Sequence, residues 1–233
     1  MKLQFDATQE YQLDAIRAVT GLFKGQPLNK GAFEIEVESH LGQQQIDGNF
    51  IVGNNLVLAE ETMLKNLQAI QNVNELEESQ ELDGKHFSVE METGTGKTYV
   101  YLRTIHELYK QYGFKKFVIV VPSIAIKEGV VKNLKITQEH FKMLYENPEM
   151  DFYVYDPKKR GQLKNFATTN ALQVLVINID SFAKFSESKK GKNIIYKDSD
   201  WGVPIEYIQG VKPIVIVDEP QNMETEIRKK AID

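Results

Sequence analysis

Residues 91–98 read Met91-Glu92-Thr93-Gly94-Thr95-Gly96-Lys97-Thr98. They fall one residue short of the phosphate-loop pattern G-x-x-x-x-G-K-[ST], with Met91 standing at the first glycine. Gly94 and Gly96 let the backbone wrap closely round a polyphosphate and present its N–H groups as donors. A helix starting near Lys97 aims the positive end of its dipole at the same anion. Thr93, Gly94, Thr95 and Gly96 form the cradle, Lys97 reaches the β- and γ-phosphates, and the Thr98 hydroxyl ligates Mg²⁺. The ligand expected from the loop alone is a nucleotide polyphosphate.

The flanking sequence fits such a loop. Phe87 to Met91 reads as a strand, and a helix is expected from Lys97 to about Tyr112, stopped by Gly113. Downstream, strands are expected at Phe117–Val121, Phe152–Tyr155, Leu172–Ile179 and Ile214–Val217. Helical segments alternate with them at Ile124–Tyr145, Gly161–Thr168 and Ile205–Gln209. That alternation predicts an α/β fold, a mainly parallel sheet with helices on both faces. The last strand runs into Asp218-Glu219. An aspartate there serves Mg²⁺ in phosphate-loop enzymes. Its neighbour Glu219 is placed to orient or deprotonate the attacking water. Alone, a DE pair ending a strand would be a solvated turn. Paired with the loop, Lys97, Asp218 and Glu219 become the catalytic set.

Upstream, Phe5 to Phe23 reads as a helix capped by Asp6, with Gln9 reaching back as in a capping box. Residues 26–86 behave as an insertion. Ala32 to Glu38 alternates as a half-wet strand, and Phe50-Ile51-Val52 and Leu56-Val57-Leu58 flank Gly53-Asn54-Asn55 as a hairpin. Ala59 to about Asn74 is an amphipathic helix, and Glu75 to Asp83 an acidic solvated loop.

The 233 residues suit one decorated domain. With 42% hydrophobic and 26% charged residues, wholly disordered and collagen-like readings fail. The absence of cysteine excludes disulfides, thiolate metal sites and a cysteine nucleophile. A net charge of −5 is not that of a dedicated nucleic-acid-binding domain, although it leaves room for a local basic groove. No signal peptide or membrane-length apolar run is present, so a cytoplasmic location is expected. The sequence stops inside a charged segment, Glu224 to Lys230, that reads as a helix, from which a piece of a longer chain is expected.

Other signals favour bland roles. The lysines from Lys184 to Lys197 are read as a solvated loop rather than a DNA contact, and so is Lys158-Lys159-Arg160. The four histidines have no metal-ligand spacing and are taken as structural or surface residues. Phe5 either stacks on adenine or packs the helix entry, with packing preferred.

Together, Thr93-Gly94-x-Gly96-Lys97-Thr98 and Asp218-Glu219-Pro220-Gln221 resemble motifs I and II of superfamily 2 helicases. Tyr11-Gln12-Leu13-Asp14-Ala15-Ile16 resembles the glutamine motif, which implies that Gln12 reads adenine. A carboxamide can pair with adenine N6 and N7. The stretch from Val121-Pro122-Ser123 to Gly129 resembles motif Ia, and Asn178-Ile179-Asp180-Ser181-Phe182 motif Ib. The resemblance implies that Ser123, Lys127, Asn178 and Ser181 line a nucleic-acid groove, and that Gln221, where many relatives carry histidine, couples nucleotide state to a second domain.

The wording of these motifs is most similar to the restriction (Res) subunit of type III restriction-modification enzymes. That implies a RecA-like first motor domain over residues 1–233, with 26–86 inserted before the loop. It implies an enzyme whose ATP hydrolysis drives movement or switching on double-stranded DNA before cleavage, with a methyltransferase (Mod) subunit as partner. A second RecA-like domain and a nuclease domain would lie outside this sequence, so the fragment alone should bind ATP weakly and hardly hydrolyse it. A type I restriction translocase, a repair helicase or a non-hydrolysing nucleotide-dependent binding module are the alternatives.

Overall fold

The computed structural model describes residues 5–28, 34–35, 51–159, 161–182, 194–197 and 202–223. In chain order the elements are α1 (Glu10–Gly21), β1 (Glu34–Ile35), β2 (Ile51–Val52), α2 (Glu60–Val73), α3 (Lys97–Tyr112), β3 (Lys116–Val121), α4 (Ile124–Leu144), β4 (Met150–Val154), α5 (Gly161–Thr168), β5 (Leu172–Asn178), α6 (Pro204–Gly210) and β6 (Ile214–Val217). Short 3₁₀ turns lie at Ile179–Phe182, Ile194–Tyr196 and Pro220–Met223. Most of the alternating stretch 32–38, the lysines from 184 to 192, Arg160, Trp201 and the charged segment 224–230 lie outside the described residues. Among the described residues no helix is long and apolar enough to cross a membrane.

The chain divides into two compact units. One comprises Gly31–Asn55, Lys115–Lys135 and Pro148–Asp233 and holds the sheet. Its four strands run in the order β4-β5-β3-β6, and every pairing is parallel, as the alternation of strands and helices predicts. β3 is buried along its length, and apolar after Lys116, because it is paired on both sides, the situation that favours β-branched runs in parallel sheets. One face of β3 and β5, presenting Val118, Val120, Leu175 and Ile177, forms a core with Leu163, Phe166 and Ala167 of α5 and Tyr207 and Ile208 of α6.

The expected hairpin at 50–58 is not formed. Ile51 and Val52 pair antiparallel with Glu34 and Ile35 instead. Gly53-Asn54 is an anchor, not a turn. The Asn54 side chain accepts the Lys115 and Lys116 N–H groups at 2.8 and 3.0 Å and donates to the Lys116 carbonyl at 2.7 Å. Its own N–H donates to the Val211 carbonyl at 2.8 Å. A Cβ on Gly53 would sit 2.8 Å from that same carbonyl oxygen, so only glycine permits the approach.

Lys116 opens β3 fully buried. Its Nζ donates to the Thr169 carbonyl at 2.5 Å and to Gln173 Oε1 at 2.6 Å, with the Phe166 ring 5.5 Å away. Burial, with Lys115 beside it, lowers its pKa from the ordinary 10.5 to about 7.

The other unit comprises Met1–Lys30, Leu56–Phe114 and Ile136–Asn147. α1 and α3 pack along one another there, and Tyr112 donates its hydroxyl to the Thr20 carbonyl at 2.9 Å. Phe23 closes one end against Tyr112 and Phe114. α3 stops where expected, at Gly113 in the left-handed conformation (φ +74°), whose N–H returns to the Tyr109 carbonyl. His106 is buried between Phe141 and Tyr145, and desolvation lowers its pKa to about 4, so it is a neutral core residue.

Two further expectations fail in this unit. Asp6 does not cap α1. It accepts the Thr8 N–H and hydroxyl at 2.8 and 2.7 Å in a turn that precedes the helix, while Gln9 occupies the N-cap without a side-chain capping bond. Residues 87–91 carry no regular structure, and Val89 is exposed. Alternation alone does not make a strand. A backbone ladder does, and among the described residues none pairs with this segment.

Two outcomes are expected. Asn54→Ala leaves two N–H groups without their acceptor and should lower unfolding free energy by about 3 kcal/mol in denaturant titration. Because the folded chain sheds the Lys116 proton at a lower pH than the unfolded chain does, stability should rise as pH increases from about 7 towards 9. Lys116→Met should flatten that rise in melting temperature against pH.

Candidate phosphate-loop site and sheet edge

The loop and Gln12 belong to the same unit. Gly94 and Gly96 both adopt the left-handed conformation (φ +84° and +85°), which bends residues 93–97 into a tight arc before α3 begins at Lys97. The Thr95 hydroxyl donates to the Glu92 carbonyl at 2.6 Å and closes the arc. Lys97 extends its Nζ towards the Met91 carbonyl, 3.4 Å away, at the position where the phosphate-loop pattern carries glycine. Thr98 follows in the first turn of α3, so Lys97 and Thr98 lie at the helix N-terminus as the motif requires.

Gln12 lies in the first turn of α1 and is buried. Its Nε2 donates to the Thr95 carbonyl at 2.9 Å. A Cβ on Gly96 would stand 2.9 Å from the same nitrogen, so the second glycine serves both the loop's curvature and the seat of the carboxamide. Sequence reasoning placed Gln12 and the loop in one site. It gave no sign that the carboxamide rests on the loop's own backbone.

Phe5 stacks on Tyr99 with ring centroids 5.8 Å apart and tilts against His140 at 5.2 Å, the packing role preferred from the sequence. The Tyr99 hydroxyl lies 2.9 Å from His140 Nε2. Burial, followed by the charge of Arg103, lowers the His140 pKa, so the ring is neutral near pH 7.

In the sheet-bearing unit, the other site residues follow the carboxyl ends of adjacent parallel strands. Val121 of β3 is in register with Asn178 of β5, and Val120 with Val217 of β6. Ser123 and Lys127 therefore follow β3, Asn178 ends β5 with Ser181 in the 3₁₀ turn after it, and Asp218, Glu219 and Gln221 follow β6. Open α/β sheets bind ligands at this edge. The Asp218 N–H donates to the Val120 carbonyl at 3.0 Å, which extends the ladder by one residue and fixes where the carboxylates emerge. Glu219 is held at φ +56°, a left-handed conformation that costs a non-glycine residue about 1 kcal/mol or more. The Gln221 amide donates to the Glu219 carboxylate.

Ser123 and Asn178 also perform local work. Ser123 Oγ accepts the Ile126 N–H at 3.3 Å at the start of α4, and Asn178 Oδ1 accepts the Asp180 N–H at 2.8 Å.

Among the described residues no group of three or more His, Asp or Glu side chains is arranged to hold a metal. Thr98 and Asp218, the two metal candidates from the sequence, fall in different units, and each offers a hard oxygen of the kind that Mg²⁺ takes.

Comparison with known proteins gives a consistent result. A family model described as "Type III restriction enzyme, res subunit" matches residues 60–230. The chain is 36% identical over 186 residues to the Type III restriction-modification enzyme StyLTI Res subunit of Salmonella typhimurium, covering 70% of this chain and 18% of that protein. It is 31% identical over 207 residues to the EcoPI Res subunit of Escherichia phage P1, covering 78% and 21%. It is 31% identical over 179 residues to the EcoP15I Res subunit of Escherichia coli, covering 70% and 18%. The matched part is thus about a fifth of the length of these relatives.

The two glycines of the loop should respond differently to alanine. Gly94→Ala meets open space and bears only the backbone penalty of about 1–2 kcal/mol, whereas Gly96→Ala adds the encounter with Gln12. Thermal melts should rank Gly96→Ala below Gly94→Ala in the wild-type background, and the gap should close when Gln12 is alanine.

Proposed function

The chain belongs to the res subunit family of type III restriction enzymes, and from that premise we propose that it is the ATP-binding first motor domain of a DNA-dependent ATPase. The observation that carries this reading is the hydrogen bond from Gln12 to the Thr95 carbonyl. It seats an adenine-selecting carboxamide on the backbone of a glycine loop shaped for phosphates.

Each residue then has a role. Gln12 reads the adenine edge. The N–H groups of residues 93–98, with Lys97, hold the β- and γ-phosphates. Thr98 and Asp218 hold Mg²⁺, which when bound neutralises charge on the phosphate oxygens. Glu219 accepts a proton from the attacking water or orients it, and its fixed backbone supports that role. Gln221, bonded to Glu219, carries the nucleotide state onward. Ser123, Lys127, Asn178 and Ser181 meet the DNA backbone from the carboxyl edge of the sheet, through contacts that weaken with salt.

In the domain plan proposed, residues 1–233 form one RecA-like motor domain, with 26–86 lying between the glutamine segment and the loop. ATP hydrolysis drives movement or switching on double-stranded DNA ahead of cleavage, in the cytoplasm, together with a methyltransferase subunit. A second RecA-like domain supplies an arginine to the transition state. Such fingers are worth about 10³ to 10⁵ in rate in comparable systems, so these 233 residues alone bind ATP·Mg²⁺ weakly and turn it over barely.

Calorimetric titration of a non-hydrolysable ATP analogue with Mg²⁺ tests the assignment. Lys97→Ala should weaken binding about tenfold or more with its melting temperature unchanged, as expected for one charge-assisted phosphate contact. Equal affinity in wild type and variant would overturn the loop assignment. A DNA-stimulated turnover near one per second by the 233-residue chain would overturn the dependence on a second domain.

A further inference from the structure

We propose that Arg103 is a positioning residue for base selection, acting on Gln12 through the turn that precedes α1. The inference rests on the reading of Gln12 as the adenine contact.

Arg103 is a buried cation on α3, two turns beyond Lys97. No step of ATP hydrolysis uses it. Its NH1 donates at 2.7 Å to the carbonyl of Ala7, 96 residues away in sequence. Its Nε donates at 3.2 Å to the Tyr145 hydroxyl, which in turn donates at 2.7 Å to Glu107. The guanidinium is thus held from one side by Tyr145, just past the end of α4, while NH1 reaches one backbone oxygen of a distant segment.

That oxygen is well chosen. Ala7 lies at the centre of the turn in which Asp6 accepts from Thr8. Two residues later Gln9 is the N-cap of α1, and the N–H groups of Gln12 and Leu13 both return to the Gln9 carbonyl at 3.1 Å. The position of Ala7 therefore fixes the origin of the helical turn that carries Gln12. Tyr99 and Arg103, four apart on α3, lie on one helix face, where the first stacks on Phe5 and the second bonds Ala7. Segment 5–12 is thus fastened at Phe5, Ala7 and Gln12, each time to α3 or the loop that starts it. The cap of α1 adds no side-chain bond to this restraint, since Gln9 makes none to the helix N–H groups.

A carboxamide distinguishes adenine from guanine only if its donor and acceptor point the right way. The edges of the two bases present opposite patterns at position 6. Loosening Ala7 leaves the phosphate contacts in place and blurs that orientation. Arg103 should therefore govern the adenine-to-guanine preference rather than overall affinity.

The experiment compares the 233-residue wild-type chain with Arg103→Lys, Tyr145→Phe and Gln12→Ala. The probes are non-hydrolysable ATP and GTP analogues with Mg²⁺. Gln12→Ala should bring the preference for the adenine analogue close to unity. Arg103→Lys, which keeps a charge but not the two-way fork, should lower it at least ~3-fold, with GTP-analogue affinity unchanged. Tyr145→Phe should give a smaller loss in the same direction. Hydrogen exchange on the nucleotide-free chain gives an independent readout. The Gln12 and Leu13 amides should exchange about tenfold faster in Arg103→Lys, while those in the middle of α3 keep their wild-type rates. A variant with a lower melting temperature but unchanged preference and exchange at Gln12 would reduce Arg103 to a core residue and overturn the proposal. Unchanged preference in Gln12→Ala would instead remove the adenine reading of Gln12, leaving the exchange result to decide whether Arg103 positions the turn.

Discussion

One buried carboxamide sets the start of the central strand. Asn54 accepts both N–H groups that open β3 and donates to the Lys116 carbonyl, while its own N–H bonds Val211 after α6. Left unpaired, those buried groups would each carry a desolvation cost comparable to a lost hydrogen bond. β3 in turn pairs with β5 and β6, so its register determines where both neighbours end. The emergence of Ser123, Asn178 and Asp218 at one edge is thus a consequence of how β3 begins. Parallel strands leave their carboxyl ends together, and the loops that follow them converge without further design.

The second organising element is α3. It begins at the loop lysine and carries Tyr99 and Arg103 on one face. The loop, the glutamine segment and the aromatic cluster around His140 are all fastened to this helix. A phosphate site needs a rigid frame because its N–H groups act only if aimed. Here the frame is aromatic packing plus two buried hydrogen-bond donors, Gln12 and Arg103, whose acceptors are backbone carbonyls. Backbone acceptors cannot be lost by substitution, which makes the arrangement tolerant of change at Ala7 and Thr95.

Much of this was visible in the linear sequence, and the exceptions share a cause. The runs at 117–121, 172–178 and 214–217 are strands because buried parallel strands need uninterrupted apolar residues. Phe87 to Met91 has the right alternation and no ladder partner. Gly53-Asn54-Asn55 has turn composition, yet its glycine serves a close approach to Val211 and its first asparagine a strand anchor. Asp6 has the chemistry of a helix cap and spends it one turn early on Thr8. Composition states what a residue can do. It does not state which partner is within reach.

The sequence by itself determined the glycine loop that opens α3, the acidic pair after an apolar strand, the alternation of strands and helices, and the family. All of these rest on residues close together, where side-chain type dictates local dihedral angles and donors. Only the tertiary structure decided the strand order β4-β5-β3-β6, the contact of Gln12 with Thr95 across 83 residues, and that of Arg103 with Ala7 across 96. A hydrogen bond between groups so distant depends on the whole path of the chain between them. Local pattern carries no record of that path, so these contacts exist only once the chain has folded.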